Sequence, residues 1–189
     1  MTHHPVRRRL LASLLVGVAL ASAGCSEGMK ALMEAAAEAA DSDHSISVQI
    51  TRFGIVDAEL GDDVVEAPTT TTGALLDVVS TRYVANTNRI PATLGTSFGI
   101  DYAVWGAPRG TPVTLEMRTV HSLMTNPNTG RATTVSIWQW ETQAGYRDGR
   151  IYTLEYDWEV VPGDWSFEIY HEGKLVEKQD FILYDPDLE

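Results

Sequence analysis

Apolar side chains recur at every second position of "IYTLEYDWEV", residues 151–160. Tyr152, Leu154, Tyr156, Trp158 and Val160 fall on one side, and Thr153, Glu155, Asp157 and Glu159 fall on the other. A beat of two residues belongs to an extended strand with one face buried and the other in water. The same beat runs through "SFGIDYAVW" by way of Phe98, Ile100, Tyr102 and Val104. It returns in "DWSFEIY" at Trp165, Phe167 and Ile169, and Val113, Leu115 and Met117 supply a further inward row.

Less regular strand-like runs cover residues 45–56, 75–84, 133–142 and 175–184. In the first, Ile46, Val48 and Ile50 hold one phase while Phe53 and Ile55 hold the other, so a β-bulge is expected near Thr51 or Arg52. Turn residues punctuate the runs: Gly61-Asp62-Asp63, Ala107-Pro108-Arg109-Gly110, Asn126-Pro127-Asn128 and Pro162-Gly163. Glu172-Gly173, set between two strand-like runs, fits a tight hairpin. Short strands with turns between them, and no core helix, predict an antiparallel β-sandwich, with a closed barrel as the alternative.

The N-terminus follows another logic. Arg7, Arg8 and Arg9 precede an uncharged apolar run over residues 10–21, which ends in Ser22-Ala23-Gly24 before Cys25. A basic start, a short apolar segment and a small-residue exit make a secretory signal peptide over residues 1–24, too short to span a bilayer, which takes about 20 apolar residues. Cys25 is the single cysteine of the 189 residues. Ser22-Ala23-Gly24-Cys25 resembles the bacterial lipobox, with Ser22 standing where an aliphatic residue is usual. The resemblance implies cleavage before Cys25 and lipid on its thiol, which becomes the membrane anchor. Ser26 after the cysteine, rather than Asp, implies the periplasmic face of the outer membrane in a Gram-negative source. Residues 25–44, "CSEGMKALMEAAAEAADSDH", are rich in Ala, Glu and Met and read as a partly helical or flexible tether.

Cleavage would take three of the 14 basic side chains and none of the 26 acidic ones, leaving 11 against 26, a net charge of −15. So acidic a surface disfavours nucleic acid as a partner. No second cysteine remains for an internal disulfide, so residues 45–185 must hold together by burying one core.

"IPATLGTSFGIDYAVWGAPRGTPVTLEMRTVH" (residues 90–121) and "VPGDWSFEIYHEGKLVEKQDFILY" (residues 161–184) together resemble a bacterial family of domains of unknown function. Its members are similar to immunoglobulin-like sandwiches and are often exported. The resemblance implies an immunoglobulin-like antiparallel β-sandwich of about seven to nine strands over residues 45–185. It brings no catalytic residue with it.

Chemistry in the sequence is sparse. His44, His121 and His171 lack zinc-type spacing, and His121 reads as a surface imidazole at a strand end. There is no Gly-x-Ser-x-Gly elbow and no phosphate-binding glycine loop, and no cofactor, metal or catalytic residue is expected. Asp57, Glu59, Asp62, Asp63 and Glu66 lack the spacing of a calcium loop and read as a solvated cluster. Glu155, Asp157 and Glu159 would stand about 7 Å apart on an outer strand face, within the span used by glycoside hydrolases. Trp105, Trp138 and Trp140 are the candidate binding surface. If Val135 and Ile137 hold the core face, Trp138 and Trp140 form an exposed stacking platform; with a bulge before them they lie in the core.

The expected function is a lipid-anchored, noncatalytic envelope module that binds a protein or glycan. The alternatives are an envelope glycan hydrolase using paired carboxylates, or a protease inhibitor or small-ligand carrier acting through loop 69–73 or loop 126–130.

Overall fold

The computed structural model describes residues 45–188. The signal peptide, Ser22, Ala23, Gly24, Cys25 and the tether lie outside the described residues.

Nine strands follow in order: β1 (Ser47–Ala67), β2 (Gly73–Ala85), β3 (Arg89–Pro91), β4 (Ser97–Trp105), β5 (Pro112–Thr125), β6 (Ala132–Gln143), β7 (Arg147–Thr153), β8 (Gly163–His171) and β9 (Lys174–Tyr184). They form two sheets, ordered β2-β1-β4-β7 and β3-β9-β8-β5-β6. Every pairing is antiparallel except that of β3 with β9. The fold is the immunoglobulin-like, antiparallel β-sandwich.

Alternation places the core. Phe98, Ile100, Tyr102 and Val104 of β4 are all fully buried, as are Leu115 of β5 and Trp165, Phe167 and Ile169 of β8. Phe98 sits at the centre. Its ring centroid lies 5.1 Å from that of Phe181, 5.5 Å from Phe167, 5.7 Å from Trp165 and 6.1 Å from Tyr152. With no disulfide among the described residues, this cluster supplies the main apolar burial of the sandwich.

The phase slip in β1 is a bulge: the register with β4 shifts between Ile50 and Arg52, leaving Thr51 as the extra residue. The β8–β9 hairpin turns on Glu172 and Gly173, at φ 49° and 76°, the left-handed pair that a two-residue hairpin needs.

Three local expectations are corrected. Gly61-Asp62-Asp63 is no turn. β1 runs on through it, with residues 61–63 bulged out between the pairs Leu60–Val78 and Val64–Leu76. The chain reverses only at residues 68–72. His121 is not at the surface; it lies inside β5 at 3% exposure, against Trp165.

The third correction concerns "IYTLEYDWEV". β7 stops at Thr153, and a 3-10 turn at Asp157–Glu159 follows. The cause is Glu159, whose carboxylate folds back to accept hydrogen bonds from Tyr152 Oη (2.8 Å) and from the backbone N–H of Glu155 (2.8 Å) and Tyr156 (3.0 Å). These three bonds close a loop that an extended strand would hold open. Tyr156 and Trp158 keep their apparent two-residue phase by stacking on each other in the turn, 5.4 Å apart and 9° from parallel.

Candidate functional site

The unusual element is the β1–β2 hairpin. Its base lies in the first sheet, where Ser47–Val56 pair with β4. Beyond Val56 only β2 accompanies β1, through bulges that bend the ribbon. Its tip then attaches to the other sheet. Ile137 N–H donates to Thr69 O, Thr69 Oγ1 to Ile137 O (2.5 Å), and Thr71 N–H to Ser136 Oγ (3.1 Å). Thr71 Oγ1 and Ser136 Oγ share a further bond of 2.9 Å, and Asn126 Nδ2 donates to Thr71 O. Arg131 caps Pro68 O. Thr70, Thr71, Ser136 and Asn126 are all buried by this docking. Loops 69–73 and 126–130, expected as exposed binding loops, are thus joined at Thr71 and Asn126, while Thr69 and residues 127–130 stay exposed.

The hairpin thus bridges the two sheets, and a cavity of about 840 Å³ lies between it and the sandwich. Leu60, Val65, Leu75 and Val78 line it from the hairpin. Met117, Thr119, Ser136 and Trp138 line it from β5 and β6, and all of β7 borders it. Glu155 and Glu159 also line it. Five carboxylates (Asp77, Asp101, Asp148, Glu155 and Glu159) face two guanidinium groups, those of Arg147 and Arg150.

A polar network fixes the wall where β6 meets β7. Trp140 Nε1 donates to Tyr102 Oη (2.9 Å), which donates to Asp148 Oδ2 (2.9 Å). Arg150 bonds Asp148 Oδ1 at 3.0 Å and lies over the Trp140 ring, 4.3 Å from its centroid. Burial opposes the Asp148 charge, yet Arg150, Tyr102 and the Gly149 N–H outweigh it and hold the carboxyl below its usual range. Burial and the nearby Asp148 push the Tyr102 hydroxyl up, so it stays a donor. Burial also raises Glu155. For Glu159 burial is again the largest influence and wins over the three hydrogen bonds that favour its charge.

Trp105, Trp138 and Trp140 do not share one surface. Trp138 and Trp140 lie half-buried on the inward face of β6, in register with Met117 and Leu115. Trp140 is tied into the network, whereas Trp138 lines the cavity. Trp105 lies opposite in phase to Val104, 51% exposed on the outer side of the first sheet. Glu155, Asp157 and Glu159 are not a row on a strand: Glu155 and Glu159 border the cavity, and Asp157 belongs to the turn. Among the described residues no three His, Cys, Asp or Glu side chains converge as a metal site.

Sequence reasoning placed Ile151, Tyr152 and Thr153 on a strand but passed over the first half of β7, "RDGR". Asp-Gly between arginines reads locally as a turn. The one available signal was the pair of opposite charges flanking Gly149, a pattern that suits an edge strand.

The family described as "Domain of unknown function (DUF3859)" matches residues 44–183. The chain belongs to the DUF3859 family. Its span takes in both sheets and both sides of the bridged cavity. The domain is similar to the crystal structure of an immunoglobulin-like protein from Pseudomonas aeruginosa, with 19% identity and a TM-score of 0.48, over 75% of this chain and 98% of that one. It is also similar to the alkylpurine DNA glycosylase AlkC of Pseudomonas fluorescens bound to DNA containing an abasic site analog. There the identity is 14% and the TM-score 0.36, over 51% of this chain and 27% of that one. No curated protein matches the chain.

Proposed function

We propose that this DUF3859 protein is a noncatalytic binding module of the cell envelope, anchored through lipid on Cys25, whose ligand seat is the cavity under the β1–β2 hairpin. The observation that carries the binding reading is the cavity itself. At about 840 Å³ it falls in the size range of ligand sites, and it mixes apolar walls with charged and hydroxyl side chains. The anchor is supported by Arg7–Arg9, the apolar run and Ser22-Ala23-Gly24-Cys25. A noncatalytic role is supported by the state of the polar groups: Asp148 and Glu159 are both engaged by fixed donors.

Membrane fractionation of the full chain tests the anchor. Cys25→Ser should leave the membrane fraction, and a fully membrane-bound Cys25→Ser protein overturns the assignment. One observation favours glycan hydrolysis as a second reading: Glu155 and Glu159 border the same cavity, both with raised pKa values. Release of reducing ends from isolated envelope glycan separates the two. No release is expected; release that Glu155→Gln abolishes would replace the binding reading with the hydrolase.

A further inference from the structure

All seven residues of β7, Arg147–Thr153, border the cavity. Successive side chains of a strand point to opposite faces, so a space touched by every residue in turn faces the strand's edge. β7 pairs with β4 on one side and, among the described residues, with no strand on the other.

The backbone directions can be read residue by residue. Gly149 N–H donates to Asp148 Oδ1 (2.8 Å), and its carbonyl accepts from the Arg150 guanidinium. Both backbone groups of Gly149 therefore point away from β4. A Cβ on Gly99 of β4 would collide with the Arg150 carbonyl oxygen, which places that carbonyl on the β4 side. Backbone groups alternate sides along a strand, so the N–H and C=O of Ile151 and Thr153 face the cavity as those of Gly149 do. Gly149 is capped by the side chains beside it. Among the described residues no such cap covers the backbone of Ile151 or Thr153.

We propose that this open edge is the docking site for an extended peptide segment of another protein, which adds as a strand beside Ile151 and Thr153 and brings cationic side chains. The proposal rests on the binding reading and names its ligand class. A strand edge is matched by a partner with its own alternating N–H and C=O groups at about 3.3 Å per residue, which is a polypeptide. Charge selects the side chains. Five carboxylates against two guanidinium groups leave the lining acidic: Arg150 is held by Asp148, and of the others Asp77, Glu155 and Arg147 carry no ion pair among the described residues. The whole chain is also acidic, at −12. Leu60, Val65 and Leu75 across the cavity offer apolar contact to the alternate side chains. A second copy of the domain fits poorly, because the hairpin bridges from β1 to β6 and would have to admit a whole sheet.

The test uses three acetylated, amidated heptapeptides against the isotope-labelled domain: alternating Val and Lys, alternating Val and Glu, and the Val–Lys peptide N-methylated on one backbone edge. The Val–Lys peptide should bind and slow amide exchange at Ile151 and Thr153. The N-methylated peptide should bind about tenfold or more weakly, through loss of one or two net hydrogen bonds. The Val–Glu peptide should not bind. Ile151→Pro, which removes an N–H on the side away from β4, should weaken Val–Lys binding similarly with the thermal melt retained. No protection at β7 by any peptide, indifference to N-methylation, or equal binding of the Glu peptide overturns the proposal. So does concentration-dependent dimerisation that protects Ile151 and Thr153 without peptide. A chitin oligosaccharide that perturbs Trp138 and leaves β7 untouched would also overturn strand addition, while the binding-module reading would stand.

Discussion

Replacing Glu159 by alanine strands three donors at once: Tyr152 Oη and the backbone N–H groups of Glu155 and Tyr156. The side chain is 1% exposed, so bulk water does not reach it freely. A buried donor left without a partner costs about 1–3 kcal/mol. Three of them, partly relieved by water entering from the adjoining cavity and by loss of a desolvated charge, give about 3–5 kcal/mol. For a domain of this size each kcal/mol lowers Tm by roughly 4 °C, so the melt should fall by about 12 °C or more. Glu159→Gln keeps one acceptor oxygen and should cost about 1–2 kcal/mol. pH supplies a second readout. Burial raises the Glu159 pKa above its ordinary 4.5, so the folded state binds this proton more tightly than the unfolded chain. Its contribution to stability is then fully present below pH 4.5 and declines as pH rises through the folded-state value. The penalty of Glu159→Gln relative to wild type should therefore shrink between pH 4.5 and pH 7. Differential scanning calorimetry across that range decides it. A Glu159→Ala melt within about 3 °C of wild type, or a Glu159→Gln penalty that grows with pH, would refute the reasoning.

Two further outcomes follow from the core. His121 places Nδ1 2.8 Å from Ser122 O, leaving Nε2 buried without a partner, and desolvation lowers its pKa below 6.5. Stability should then fall as pH drops below about 6.5 towards the folded-state value, and His121→Leu should flatten that limb in urea titrations. Phe98→Ala, at the meeting point of four other rings, should cost about 3–5 kcal/mol by chemical denaturation; a loss under 1 kcal/mol would show that the ring cluster is not the core's centre.

The sandwich was legible wherever large apolar residues alternate with small or polar ones. Ser97–Trp105 is a strand from end to end, Thr51 is the extra residue of a bulge, and Glu172-Gly173 is the hairpin turn. Each rests on short-range chemistry: alternation, a phase slip, a left-handed φ. The misreadings share a different physics. Glu159 looked outward on a strand because the sequence does not show that its carboxylate captures two N–H groups a few residues back. His121 looked exposed because a polar ring at the end of an alternating run is buried only once Trp165, on a strand some 40 residues later, packs against it. Gly61-Asp62-Asp63 has turn composition, yet the ladder with β2 resumes at Val64, and the turn is absorbed as a bulge.

The candidate site was illegible for a related reason: whether a strand is central or an edge depends on which strands finally pair. The sandwich has four edges, and they are treated unequally. β3 is three residues long and ends in Pro91, a poor template for pairing. β6 is bonded by the hairpin tip at Ile137. β2 is broken by three register shifts along β1. β7 is flat in register with β4 over all seven residues, and it is blunted only at Gly149. A protein that guards three edges by shortness, docking and bulging gains nothing in solubility by leaving two rungs of the fourth open beside a cavity. The hairpin resolves this. It keeps large sheets away from β7 while leaving room for one chain, so the edge can be open to a strand and closed to aggregation.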